Sequence, residues 1–358
     1  MKILMLVNWK IEYCDEKPVD RQPPDYYVNG ENYWFYRYFD EKPEVDVVDV
    51  HSFPWLEDFE KNKIRFYIWQ TLRVIPRLGQ YDLIVSHGMQ SGVVLSLWRR
   101  LFKTKAKHIV FDIGSFNSAA ERGFALKLMQ FASKSIDGLI YHTGSQIAYY
   151  RKFFPWIVEK SRFIRFGTDL EFFDPTKRKP APDRDGYILC VGYSKRDWNT
   201  LVKAYEKLNT DVPLRLIGHV EEAFREIPGV EQVPFIPIKD LMNQIYNAKF
   251  CVLPLEWFNY SYGQMTLMQQ MALGKCVLAA KVPSLVDYMQ DGVTAMTYEA
   301  KNAEDLAQKM KLLLTDARLR NEIAQNGAQY LKEKCNETIM ARGIEKFYCG
   351  VCEGDLSQ

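Results

Sequence analysis

A succession of short apolar runs, three of them closed by a polar residue and then Gly or Ser, constrains this chain most. Met1 to Val7 is the first run. Tyr81 to Ser86 ends in His87-Gly88, and His108 to Ile113 carries Asp112 just before Gly114 and Ser115. Ile136 to Tyr141 leads into His142, Thr143, Gly144 and Ser145. Apolar runs this short fit buried strands better than buried helices. Stretches with helical spacing lie between them, so strand and helix alternate, the pattern of a parallel sheet covered on both faces. Residues just past the carboxyl ends of such strands meet at a crevice where ligands bind. A site is therefore expected among the polar closures, although any one of them also fits a core histidine or a helix cap.

The alternation occurs twice. Thr176 to Asp185, TKRKPAPDRD, is charged and Pro-rich and reads as a linker. The pattern then restarts at Gly186. Tyr187 to Val191 is a strand, Gly192 to Asp197 a loop and Trp198 to Leu208 a helix; strands follow at Leu214–Ile217, Val233–Pro237 and Lys249–Leu255. The expected fold is α/β, with two doubly wound Rossmann-like domains facing a cleft. The first spans 1–175 and the second 186–335. A chain of 358 residues is long enough for two domains, and 47% hydrophobic with 26% charged residues suits a soluble globular protein. No run of 18 apolar residues exists, and the opening MKILMLVNWK is too short in apolar length for a signal peptide. A cytoplasmic location is the resulting expectation.

The stretch NYSYGQMTLMQQMALGKCVLAA, Asn259 to Ala280, is the most telling in the second half. A turn at Ser261, Tyr262 and Gly263 opens an apolar helix. Met265, Leu267, Met268, Met271, Ala272 and Leu273 are expected to pack inward. Gly274 breaks the helix before a strand, Cys276 to Ala280. A small residue at a helix head leaves backbone N–H groups facing outward, and the dipole there favours an anion, typically a phosphate. On spacing alone, an ordinary strand–loop–helix–strand unit accounts for the stretch equally well.

Its wording resembles the donor-sugar motif of the GT-B glycosyltransferases of family 4, the glycosyl transferases group 1. In that motif a Glu, seven residues and a second Glu precede Ala-Met-Ala-x-Gly-x-Pro-Val. Met271, Ala272, Gly274 and Val277 match, while Ser261 and Gln269 stand where the two Glu belong. Ser161 to Pro175, SRFIRFGTDLEFFDP, resembles the family's Pro-Asn-Gly-Val-Asp … Phe signature through Gly167, Asp169 and Phe173, with Phe166 where Asn is usual. Val282 to Asp287, Asp291-Gly292 and Ala303 to Leu314 look like the family's closing run. The resemblance is strong from Ser161 onward and thin before it.

This resemblance implies a GT-B fold whose last helix, in 336–358, returns to the first domain. It implies a retaining glycosyltransferase of hexosyltransferase type. The sugar would come from a nucleotide-diphosphate sugar, UDP or GDP type. The acceptor would be a glycan or lipid-linked saccharide, in surface polysaccharide or glycoconjugate synthesis. Lys195 and Arg196, after Gly192, would hold the donor diphosphate, where two cations match its charge and acceptor oxygens. Ser261, Tyr262, Gly263 and Gln264 would surround the donor, and Gln269 would bond a ribose hydroxyl. In the first domain, Asn29 and Gly30 would form the acceptor-side loop. Asp112 is the first choice of catalytic group beside the acceptor and His87 the second. The fold implies no cofactor and no metal, and no Asp-x-Asp pair stands at a strand end. Two rivals remain. A nucleotide-sugar 2-epimerase would crowd acids and histidines at the donor site, which this sequence does not. A catalytically idle binding or scaffold protein is favoured by the missing Glu pair.

Net charge is only +2, but Lys61 to His108 holds ten basic residues against one acid, Asp82. Asn62 to Leu78 reads as a helix with Ile64, Ile68, Leu72 and Ile75 on one face and Tyr67 and Trp69 interleaved. Such a basic amphipathic helix suits peripheral contact with an anionic membrane, or simply a solvated face. No nucleic-acid-binding signature is present. The seven Cys are scattered as reduced core thiols are, and the single CxxC of Cys349 and Cys352 lacks the second pair a zinc site needs.

Overall fold

The computed structural model describes residues 1–116 and 121–355. The chain divides into two units. One comprises the described residues of Met1–Arg165, Asn259–Ser261 and Thr338–Asp355; the other comprises Phe166–Phe258 and Tyr262–Glu337. In the first unit the strands are β1 (Lys2–Leu6), β2 (Glu12–Cys14), β3 (Tyr26–Val28), β4 (Glu44–Val48), β5 (Leu83–His87), β6 (Lys107–Asp112), β7 (Gly138–Tyr141) and β8 (Ser161–Phe163). Six of them form a parallel sheet in the order β4-β1-β5-β6-β7-β8, and β2 pairs with β3 separately. In β1, Ile3, Leu4, Met5 and Leu6 are all fully buried. Helices on both faces make every position of such a strand an inside position, so it is apolar continuously and does not alternate. Each such side chain adds about 1.5–3 kcal/mol of burial.

The second unit holds β9 (Ile188–Gly192), β10 (Leu214–Gly218), β11 (Val230–Val233), β12 (Phe250–Leu253), β13 (Val277–Ala280) and β14 (Met296–Tyr298). They pair in parallel in the order β11-β10-β9-β12-β13-β14. Each sheet has one place where the strand order reverses, between β1 and β5 in the first and between β9 and β12 in the second. The crevice of a doubly wound sheet opens at that reversal.

Several boundaries differ from the sequence reading. The first unit ends at Arg165, not 175, because Phe173 is buried in the core of the second unit and the Phe166 N–H donates to the Tyr288 hydroxyl at 2.9 Å. The stretch 176–185 is also tied to that unit: Asn247 accepts from the Ala181 N–H through Oδ1 and from the Asp185 N–H through its carbonyl, at 2.8 and 2.7 Å. The strand expected at Val233–Pro237 lies earlier, at Val230–Val233. Glu31–Phe39 is helical only as a 3-10 turn, Trp34–Tyr38.

No single helix spans Asn62–Leu78. A π-helical turn, Phe59–Ile64, stops at Arg65, whose φ is +61°, and an α-helix starts again at Ile68–Val74. A left-handed residue ends helical hydrogen bonding. The last helix, Glu337–Glu353, places Tyr348 in the first unit's core, with ring centroids 6.0 Å from Phe39 and 6.5 Å from Phe111.

Candidate functional site

In the second unit, β9 ends at the reversal point, and its last residue, Gly192, opens the loop to the helix Trp198–Leu208. Asp197 starts that helix by accepting from the Thr200 N–H at 3.1 Å. Lys195 takes a left-handed φ of +59°. The loop thereby folds Arg196 back over the strand end, where a Cβ on Gly192 would stand 2.2 Å from Arg196 Nε. Gly218, at φ +142°, is required for a similar reason: its Cβ would lie 1.7 Å from the Gly192 carbonyl oxygen.

Arg196 is the centre of the site. Its Nε donates to the Val191 carbonyl at 2.9 Å, Nη1 to the Ser194 carbonyl at 3.0 Å and Nη2 to the Thr266 hydroxyl at 3.0 Å. Each of these partners is neutral. Burial lowers its pKa from the usual arginine value, and arginine still stays charged. Arg196 is half-buried, and a partly desolvated cation held only by neutral oxygens retains its attraction for an anion. Lys195, exposed, holds its Nζ 4.0 Å from the centre of the Phe258 ring.

Opposite stands the head of the helix Gln264–Ala272. Its N-cap is Gly263 at φ +80°, and no side chain caps the first turn. A Cβ on Gly263 would sit 2.5 Å from Leu255 Cδ1, so only glycine lets the turn approach so closely. Thr266 and Gln269, three apart on the helix, share one face, and Tyr262 stands just before its N-cap. With Gly192, Lys195, Arg196 and Gly263 they line a cavity of about 360 Å³, walled on another side by Ile238, Leu241 and Ile245. Tyr193, also lining it, packs against His219 and against Phe235, which is 73% exposed.

Six of the eight donor-site residues expected from sequence therefore meet in one cavity. The other two do not line it. Ser261 is buried and groups with the first unit. Gln264 is buried, and its Nε2 donates to the Ser284 carbonyl at 2.9 Å. Met265 was expected inside but is 38% exposed. Thr266 and Tyr193 were missed, although Thr266 lies three residues before Gln269 on the same helix.

In the first unit, His87 closes β5 at the reversal point and is buried beside Trp9, with ring centroids 4.5 Å apart. Its Nδ1 is buried and has no hydrogen-bond partner among the described residues. Burial, then the nearby His142, push its pKa down to about 3. At neutral pH it is an uncharged imidazole, fit to exchange a hydrogen bond with a hydroxyl and too weak a base to keep a proton.

Asp112 does not have the freedom expected of a catalytic group. Its Oδ1 accepts from the N–H groups of Gly114 and Ser115 at 2.9 and 2.6 Å and from the Ser115 hydroxyl at 2.7 Å. Its Oδ2 accepts from the Tyr150 hydroxyl at 2.5 Å and from Gln146 Nε2 at 3.2 Å. This carboxylate organises the turn after β6. Asn29 is likewise engaged: its N–H donates to the Cys14 carbonyl and its Nδ2 to Asp15 Oδ1 at 2.8 Å. Gly30 follows at φ +82°, exposed, as the turn that leaves β3. Trp9 Nε1 and the Tyr33 hydroxyl both donate to the Pro24 carbonyl, which packs the long loop after β1 near His87. His108 is a core histidine bonded to the Ser86 hydroxyl, and His142 Nδ1 bonds the Ile164 carbonyl. The Cys349 and Cys352 thiols are pushed up by burial, away from the thiolate form.

Residues 185–316, most of the second unit, match the family model described as Glycosyl transferases group 1. A curated relative is 23% identical over 282 residues, covering 75% of this chain and 68% of its own. It is the N,N'-diacetylbacillosaminyl-diphospho-undecaprenol alpha-1,3-N-acetylgalactosaminyltransferase of Campylobacter jejuni. Among solved structures, Anabaena Alr3699/HepE in complex with UDP aligns with a TM-score of 0.68 at 13% identity, over 98% of this chain and 100% of its own. A sucrose-phosphate synthase from Thermosynechococcus elongatus aligns with a TM-score of 0.68 at 15% identity, over 99% and 100%. At these identities the structural likeness is one of fold, and the fold is GT-B. The family match and the curated relative bear out the expectation of an enzyme, a glycosyltransferase of hexosyltransferase type.

Proposed function

We propose that the chain transfers a sugar, with retention, from a nucleotide-diphosphate sugar of UDP or GDP type to a glycan or lipid-linked saccharide in surface glycoconjugate synthesis. The carrying observation is Arg196, a half-buried guanidinium with only neutral partners, in a cavity that also holds the uncapped helix head at Gly263. Sugar transfer needs the departing diphosphate to be neutralised, and preorganised cations and N–H dipoles do this without reorganising. Lys195 and Arg196 take that role, assigned to protein groups with no metal. Gln269 bonds the ribose, and the Tyr193–Phe235 pair offers an aromatic surface for the base. In the first unit, His87 directs an acceptor hydroxyl through its uncharged ring. The acceptor class draws support from the curated relative, whose name places its substrate on diphospho-undecaprenol.

The test is to incubate the protein with UDP- and GDP-sugars, with and without saccharide acceptors, and follow nucleoside diphosphate release. Turnover of one donor, abolished in Arg196→Ala, is expected. Nucleotide binding with no turnover under any condition would leave the idle-binding reading in its place.

A further inference from the structure

The helix Phe124–Ser133, FALKLMQFAS, is apolar at every position except Lys127, Gln130 and Ser133, yet only Leu126, Ala132 and Ser133 are buried. Phe124 is 79% exposed and Phe131 46%. With Leu128 they stand four and three apart, on one outward face, the reverse of an ordinary surface helix. Leu128 also lines a cavity of about 350 Å³ in the same unit, so stripe and cavity are continuous. Ile64, Phe66, Met89, Val93, Ala125 and Met129 form the rest of its apolar wall, and among the described residues no acid lines it. The polar exceptions include Arg65, for which no carboxylate partner exists among the described residues, and Gln90, whose Oε1 is buried and unpartnered. Met89 and Gln90 follow β5 and Ser115 follows β6, so the cavity lies at the carboxyl edge of the sheet, where ligands bind. Cations edge the stripe: Lys127 is exposed, and the Arg100 guanidinium lies 4.9 Å from the centre of the Phe131 ring.

We infer that this cavity takes the hydrocarbon chain of a phosphorylated amphiphile, reached from an anionic bilayer on which Phe124 and Phe131 seat, with Arg65 meeting the phosphate. A soluble glycan would find few hydroxyl partners on this wall, whereas a hydrocarbon chain matches it. Cations beside exposed aromatic and aliphatic side chains are the composition of an interfacial helix face. The inference rests on the proposed function only in taking that amphiphile as the carrier of the acceptor. It moves the expected membrane contact from a helix at 62–78, which is broken, to the helix Phe124–Ser133 and the turn at Arg65.

The experiment is co-sedimentation with phosphatidylcholine vesicles, with and without phosphatidylglycerol, for the native protein, F124S/F131S and Arg65→Glu. Thermal shifts with geranyl phosphate and with inorganic phosphate run alongside. Binding should require phosphatidylglycerol and fall roughly tenfold or more in F124S/F131S. Geranyl phosphate should raise the melting temperature of the native protein but not of Arg65→Glu, and inorganic phosphate should do nothing. Absent vesicle binding, or binding indifferent to F124S/F131S, overturns the inference. So does an equal response to inorganic phosphate, which marks a plain anion site. The UDP and GDP responses of each variant check its fold and separate the two readings. A nucleotide response without lipid binding removes this inference alone, and lipid binding without a nucleotide response removes the donor reading alone.

Discussion

Arg196 and Asp112 show how far the chemistry of a side chain depends on what surrounds it. Both stand at or just after strand ends, and both are charged and largely enclosed. Arg196 meets only neutral oxygens and keeps its charge for a ligand, whereas Asp112 meets six donors and has nothing left to offer. Asp112→Asn is therefore expected to lower stability by about 2–3 kcal/mol, since it weakens charge-assisted bonds in a buried turn. Activity per folded molecule should stay within a few-fold; a urea titration and a transfer assay check the two halves. Gly218→Ala should cost more than about 2 kcal/mol by the same titration, because its Cβ would meet a carbonyl oxygen at a left-handed φ. Asp112 was legible in the sequence as the polar closure of an apolar run, and Arg196 through the resemblance of its loop. Their roles were not, because Tyr150 and Gln146 reach Asp112 from nearly forty residues away in the chain.

Strands were the most legible elements, because a doubly buried strand is apolar without interruption and little else is so short. The helix Trp198–Leu208 was likewise legible to the residue, marked by its Asp197 cap. The stretch 62–78 was not, because helical spacing of isoleucines says nothing about a left-handed residue such as Arg65 in its midst. The helix Gln264–Ala272 carries the clearest prediction among the elements. Gly263→Ala forces a Cβ to within 2.5 Å of Leu255 and distorts the head of the helix. It should weaken nucleotide binding at least tenfold, about 1.4 kcal/mol, as read by calorimetric titration. Gly274→Ala, at the other end of the helix, meets open space but sits at a φ of +73°, so it should lower stability while leaving the nucleotide affinity of the folded protein unchanged.

Across the chain as a whole, three buried histidines make stability depend on pH. Burial pushes His87 down to about 3 and His142 to about 4, and holds His108 well below its ordinary value. Unfolded, each takes up a proton near pH 6.5; folded, each resists until far lower pH. The unfolded chain thus binds more protons in this window, and stability rises with pH there. Full stability is expected above about pH 6.5, with a progressive loss toward about pH 4. Urea midpoints across that range check the slope, which should be shallower in His108→Gln. The fold class and two-part layout were legible because the alternation of strand and helix repeats. The unit boundary was not, because Phe173 and Asn247 tie the stretch after Arg165 to the second unit through contacts that local composition does not show. The most direct test of the donor site is a thermal-shift panel of UDP, GDP, ADP and CMP on the native protein, Arg196→Ala and Gln269→Ala. A ligand at about 100 times its dissociation constant stabilises by about 2.7 kcal/mol. The donor-site account predicts that UDP or GDP stands out and that both substitutions weaken its effect. A panel without any shift, or a shift indifferent to Arg196→Ala, would contradict it.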